Sequence, residues 1–298
     1  MTGKERHCLQ VLGNLFSRIV AFVWRFMPWS INRTLGHALA FLWFDVLKIR
    51  RQVIYDNLKL AFPEISSAEQ NRIGKAAVQA MCRSFFDVLK VPSVNREWIR
   101  KNVIFHGEQN IKKLSEIDGG VFFLTLHLGS GDLGAAVFSE MVKPLTLISK
   151  RFTNIFLDTF WFGVRERSKT KFINAHAKNN AFEILAALKK KRGVVFVMDQ
   201  FMGMPYGLET QFFGVKTGTA YGLALFAKKT ARPVYPLYTH WDDNNKLHIY
   251  VDEAIDLSSE LGQTNEEITN KFNQVLEKII TRHPEHWMWV HKRWKTFE

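Results

Sequence analysis

Residues 120–132, GVFFLTLHLGSGD, decide how this chain folds. The first seven are almost wholly apolar and read as a buried strand. His127 then stands at the mouth of that strand. A turn of Gly129, Ser130 and Gly131 follows, and Asp132 opens what reads as the next helix. A histidine in this place can serve as a general base. A carboxylate five positions on can fold back across the turn and hold the imidazole. The expected pair is therefore His127 with Asp132, and the turn amides are candidates to stabilise a developing oxyanion.

The same kind of strand recurs along the chain. Strand-like runs fall at 103–106, 121–126, 145–149, 194–198, 234–238 and 246–251, with helical stretches at 156–167, 180–190 and 219–229 between them. Such alternation predicts an α/β fold with a mixed central sheet flanked by helices. A final helix is expected over 266–281. The first third is helical: an apolar stretch at 9–29 broken by Arg18 and Arg25, a second at 35–49, a helix at 51–62 stopped by Pro63, and another capped by Ser66 or Ser67. Residues 1–32 are expected to form a membrane-associating helical extension, and 33–298 one catalytic domain. The two arginines share one helical face. An interfacial amphipathic helix that buries Phe16, Phe22, Val23 and Phe26 fits the 9–29 stretch better than a spanning helix, and a tilted span is the alternative.

Composition narrows the partners. Lys plus Arg is 41 against 28 Asp plus Glu, a net charge of +13, so an anionic partner is expected: nucleic acid, an acidic membrane surface, a phosphorylated substrate or an acidic carrier protein. With 25 Phe and 9 Trp, the chain carries more aromatics than a nucleic-acid face needs, and Trp and Phe beside Lys and Arg suit a bilayer surface. Cys8 and Cys82 make neither a disulfide framework nor a metal-ligand cluster, so a reducing compartment is expected; the reading calls for no metal and no cofactor. No cleavable secretory signal is read at the start.

The His-x4-acidic spacing alone is weak, since about one chance match is expected in such a chain. It occurs twice, and His248 with Glu253 sits in an alternating strand without a glycine turn, which reads as decoration. Ser130 lacks the Gly-x-Ser-x-Gly context of a nucleophile and reads as a turn or capping residue. Lys150 and Arg151, followed by a helix carrying Arg165 and Arg167, could hold a phosphate, although a solvated basic face is the favoured reading. Asp199 and Gln200 close an apolar strand, at a rim where ligands usually bind; a helix or turn cap is the plainer reading. Residues 212–219, FFGVKTGT, read as a turn into an apolar helix capped by Thr217 or Thr219. Residues 284–295, PEHWMWVHKRWK, interleave tryptophans with basic residues. Base stacking is one reading; a membrane-interface anchor or packing against the core is preferred.

Taken together, HLGSGD, MDQ at 198–200, FFGVKTGT and the PEHWMWVHKRWKT ending resemble the lipid A late acyltransferases, a family within the lysophospholipid acyltransferase superfamily. The resemblance runs from Asn57 and Leu58 to the C-terminus. It implies a glycerolipid acyltransferase-like fold at the cytoplasmic face of the bacterial inner membrane. It also implies transfer of a fatty acyl chain from acyl carrier protein or coenzyme A to a hydroxyl of a lipid acceptor. The family's catalytic His and acidic residue fall on His127 and Asp132. Substrate contacts would come from Arg165, Asp199 and Gln200, with Gly129, Ser130, Lys150 and Arg151 beside them. Nucleic acid is not an expected partner. The lipid A branch usually has Glu where this chain has Asp132, and a bulkier residue than Gly131 before it. Asp there is common in glycerophospholipid acyltransferases, which leaves a lysophospholipid or another glycolipid or aminolipid as the alternative acceptor. A lipid esterase is the lesser alternative.

Overall fold

The computed structural model describes residues 3–257 and 264–298. Strand β2 (Val121–Thr125) lies at the middle of its sheet, and Val121, Phe122, Phe123 and Leu124 are fully buried. Their side chains alternate. Phe122 and Leu124 enter one hydrophobic core, and Val121 and Phe123 enter the other. Burying each phenylalanine contributes about 1.5–3 kcal/mol. A strand covered on both faces needs such an unbroken apolar run.

Among the described residues the sheet has seven strands. Their order is β1 (Val103–His106), β9 (Leu247–Val251), β8 (Val234–Trp241), β2, β5 (Gly193–Val197), β3 (Leu145–Ser149) and β4 (Lys171–Asn174). Only β8 and β9 pair antiparallel; every other neighbouring pair is parallel, so the sheet is mixed, as expected. Because β2, β3, β5 and β8 run the same way, their C-terminal ends meet along one rim. Helices α5 (Arg96–Asn102) and α6 (Glu108–Glu116) flank β1 in the chain, and α7 (Gly131–Met141), α8 (Ile155–Arg165), α9 (Asn180–Lys189) and α10 (Gly222–Thr230) make the return connections.

The helical first third comprises α1 (Gly3–Phe26), α2 (Ser30–Ala40) continued by a wider helical turn at 41–46, α3 (Arg51–Ala61) and α4 (Ser67–Val88). Ser66 caps α4, its hydroxyl accepting from the Glu69 amide at 3.2 Å. Helix α1 lies along α8 through a strip of small residues. Gly13, Ser17 and Ala21 are its buried positions, and a Cβ on Gly13 would come within 2.9 Å of the Phe156 carbonyl oxygen. The opposite face carries Leu12, Leu15, Ile19, Phe22, Val23 and Phe26, all exposed, Phe26 to 71%. Among the described residues it is the one helix long and apolar enough to cross a membrane.

One expectation is corrected here. Residues 212–219 are not a turn into a helix; they belong to an antiparallel hairpin of β6 (Gly207–Phe212) and β7 (Val215–Ala220). Thr217 and Thr219 therefore cap nothing. Both are buried on β7, where Thr217 Oγ1 donates to the Arg293 carbonyl and Thr219 Oγ1 accepts from the Arg293 guanidinium. The C-terminal tryptophans pack against the core, as preferred over a base-stacking face: Trp287 and Trp289 are 1% exposed and lie nearly at right angles to each other. Helix α11 (Asn265–Arg282) begins with a capping box from Thr264 and Glu267.

Candidate functional site

The register of the central strands builds the site. Thr125 on β2 lies opposite Val197 on β5, and the Met198 amide donates to the Thr125 carbonyl. Two residues beyond that pair, His127 and Asp199 leave the sheet side by side. His127 Nδ1 lies 2.9 Å from Asp199 Oδ1, and the His127 amide donates to Asp199 Oδ2 at 3.1 Å. The indole of Trp287 donates to the same Oδ2 at 2.7 Å. The carboxylate side chain is 2% exposed and the imidazole side chain 42%. With Nδ1 engaged, Nε2 is the ring nitrogen that no hydrogen bond holds among the described residues.

Electrostatics follow from this packing. Burial works to lower the His127 pKa. The carboxylate of Asp199, helped by Asp132 and opposed by Arg165, outweighs it, and the imidazole ends above its ordinary value. Burial pushes Asp199 up, but the His127 ring and the Trp287 indole hold it below the usual carboxylate value.

The expected hydrogen bond between the imidazole and the Asp132 carboxylate is therefore not made. Asp132 stands in the first turn of α7 and turns to Arg165 at the end of α8. Arg165 Nε and one terminal nitrogen reach its Oδ1 at 2.8 and 2.7 Å. The guanidinium also lies over the Phe172 ring, 4.1 Å from its centroid. Asp132 and Arg165 remain beside His127, because all three line one cavity of about 470 Å³. Gly129, Lys150 and Gln200 line it too, and its walls include Met81, Phe85, Leu147 and Leu237. Mostly apolar walls with a few converging polar groups are the usual make-up of a ligand pocket.

Three other residues singled out in the sequence lie elsewhere. Asp199 does not face the cavity as a ligand contact; it sits behind the imidazole. Ser130 neither lines the cavity nor caps α7, since its hydroxyl donates to Asp87 Oδ2 at 2.5 Å. Arg151 is held by Asp158 at 2.7 Å, away from the cavity. Gly129 has φ +58°, and a Cβ there would stand 2.4 Å from the Thr239 carbonyl oxygen, so the turn takes glycine for both reasons. The amides of Leu128 and Gly129 already donate to the carbonyls of Leu126 and His286. Of the turn amides, those opening α7 remain for an anion.

Sequence reasoning missed Trp287 and Asp87 as supports of the site. Trp287 lay within a recognised segment, but nothing in its spacing pointed 88 residues back to Asp199. His286 also lines the cavity, its pKa pushed down to about 3 by burial and by His240 and His283.

Comparison with known proteins follows the same lines. A family model described as bacterial lipid A biosynthesis acyltransferase matches residues 3–296. The chain is 24% identical over 289 residues to the lipid A biosynthesis palmitoleoyltransferase of Escherichia coli (strain K12), covering 93% of this chain and 89% of the relative. It is 22% identical over 271 residues to the lauroyltransferase of the same strain, covering 91% and 87%. To the myristoyltransferase it is 25% identical over 253 residues, covering 83% and 75%. The crystal structure of the 1-acyl-sn-glycerophosphate acyltransferase PlsC from Thermotoga maritima aligns with 88% of this chain and 100% of its own, at a TM-score of 0.41 and 14% identity.

Proposed function

The chain belongs to the bacterial lipid A biosynthesis acyltransferase family, and from that premise we propose that it moves a fatty acyl chain from an acyl thioester to a hydroxyl of a lipid A precursor, with His127 as general base. The observation that carries this reading is the His127 ring itself. Asp199 takes Nδ1, which leaves Nε2 at an apolar cavity. In this mechanism Nε2 removes the proton of the acceptor hydroxyl while that oxygen attacks the thioester carbonyl. The new C–O bond gives a tetrahedral oxyanion. Its collapse breaks the C–S bond, and the imidazolium returns its proton to the departing thiolate. Asp199 holds the tautomer and stabilises the imidazolium. In the same mechanism the oxyanion is stabilised by the Arg165 guanidinium and the amides at the start of α7, a role supported by Arg165, Gly131 and His127 lining one cavity. Asp132 then bonds to Arg165 and reaches the imidazole only through space.

The apolar walls suit the acyl chain, each buried methylene contributing about 0.8 kcal/mol. A net charge of +13 favours an acidic donor such as acyl carrier protein, coenzyme A being the other candidate, and a phosphorylated acceptor. The exposed apolar face of α1, flanked on one side by Arg18 and Arg25, supports the reading of attachment to the cytoplasmic face of the inner membrane. Because Asp132 stands where the family usually has Glu, a lysophospholipid is the second acceptor to test. Mass spectrometry of lipids from host cells with the gene, without it, and with His127→Ala in its place is the test. The expected result is one acyl chain missing from lipid A in the last two. Unchanged lipid A with a shifted phospholipid profile would move the acceptor to the second class.

A further inference from the structure

Behind the turn that joins His127 to Asp132 lies a buried carboxylate with no part in the proposed proton transfer. Asp87, near the end of α4, is 1% exposed. Its Oδ1 accepts from Asn32 Nδ2 on α2 at 2.8 Å. Its Oδ2 accepts from the Ser130 hydroxyl at 2.5 Å and from the Trp241 indole at the end of β8 at 2.8 Å. The same indole lies 3.0 Å from the Ser130 hydroxyl, which closes a triangle. Asn32 Oδ1 in turn accepts from the Trp24 indole of α1 at 2.9 Å. The nearest cation is Arg83, whose Nε stands 3.6 Å away and whose guanidinium lies over the Trp241 ring. Lys90, also buried, donates to the carbonyls of Trp24 and Met27 at the end of α1.

A carboxylate taken out of water costs several kcal/mol unless donors surround it, and apolar side chains would fill the same space at lower cost. What the carboxylate adds is direction. Residues 129–131 are two glycines around one serine, so Ser130 offers the sole polar side chain between His127 and Asp132. That handle is fastened to Asp87, and through it to α2, α4 and β8. We propose that Asp87 is a positioning residue for acyl transfer: by gripping the Ser130 hydroxyl it fixes the turn whose two ends carry His127 and the Asp132–Arg165 pair. This rests on the acyl-transfer reading given above.

The test uses the full-length protein in vesicles, with Ser130→Ala, Asp87→Asn and the double variant. Ser130→Ala takes one donor from a buried carboxylate, so Tm should fall, and kcat measured well below that Tm should drop about tenfold with KM close to wild type. Asp87→Asn should lower kcat at least as far. The double variant should be no worse than Asp87→Asn, because the hydroxyl acts through the carboxylate. Where Asp87→Asn does not fold, Ser130→Ala carries the test alone. The second readout needs no substrate: NMR titration of the His127 imidazole, assigned by its loss in His127→Ala, should shift in Ser130→Ala. Unchanged kcat together with an unchanged titration would overturn the proposal, as would losses that multiply in the double variant. A wild-type protein that transfers no acyl chain would instead sink the functional reading, and the titration would still decide the role of Asp87.

Discussion

At the scale of single residues, the choice of partner for His127 sets its pH behaviour. The imidazole must be neutral to accept a proton, and Asp199 raises its pKa above 6.5. Activity should therefore climb with pH, with the midpoint of the acid limb of kcat/KM above 6.5. Asp199→Asn removes the raising charge and leaves the desolvation that lowers the pKa, so the limb should move to lower pH. Its kcat should fall by about 100-fold or more as the tautomer is lost. Asp132→Asn should move the limb less, since that carboxylate bonds to Arg165 and acts on the ring only through space. A larger shift from Asp132→Asn than from Asp199→Asn would restore the pairing read from sequence. His127 and its cavity neighbours were legible because an apolar strand ending in a histidine and a glycine turn is a local signal. The partner was not. Five residues of spacing places Asp132 at the head of α7, whereas Asp199 arrives from 72 residues away through the pairing of β2 with β5.

At the scale of elements, β2, β3, β5 and β8 were legible because they are buried along most of their length, where an apolar run has no other explanation, and β9 was legible through its alternation, with Leu247, Ile249 and Val251 buried. Strands β6 and β7 were missed because their inner face is polar. Thr210, Thr217 and Thr219 are buried there, bonded to one another, to Asn273 and to Arg293. A hairpin held by hydroxyls and a guanidinium carries no hydrophobic alternation to detect. Strand β4 was missed for a simpler reason: of its four residues only Phe172 and Ile173 are apolar, too short a run to stand out. The turn between β2 and α7 makes a prediction of its own. Gly129→Ala forces a side chain to φ +58° and against the backbone of Thr239 and His240. It should cost about 2–4 kcal/mol, visible as a lower Tm by thermal unfolding. An unchanged Tm would mean that the turn is free to rearrange.

For the whole molecule, the two faces of α1 divide its work. Small residues fit it to α8, and large apolar ones are left outward. Phe22→Ser with Phe26→Ser removes two exposed rings without touching the packed face. The pair should weaken binding to anionic vesicles about tenfold or more in flotation, with Tm unchanged. Undiminished binding would place the membrane contact elsewhere. The rim of the sheet gathers a base, a guanidinium and an apolar cavity, and the claim that they transfer an acyl chain is open to one direct measurement. Purified protein is given an acyl carrier protein thioester and a lipid A precursor, and the products are weighed by mass spectrometry. The account predicts an acceptor heavier by one acyl group, no free fatty acid when the acceptor is left out, and neither product from His127→Ala. Fatty acid released without any acceptor, or transfer that survives the loss of His127, would contradict it.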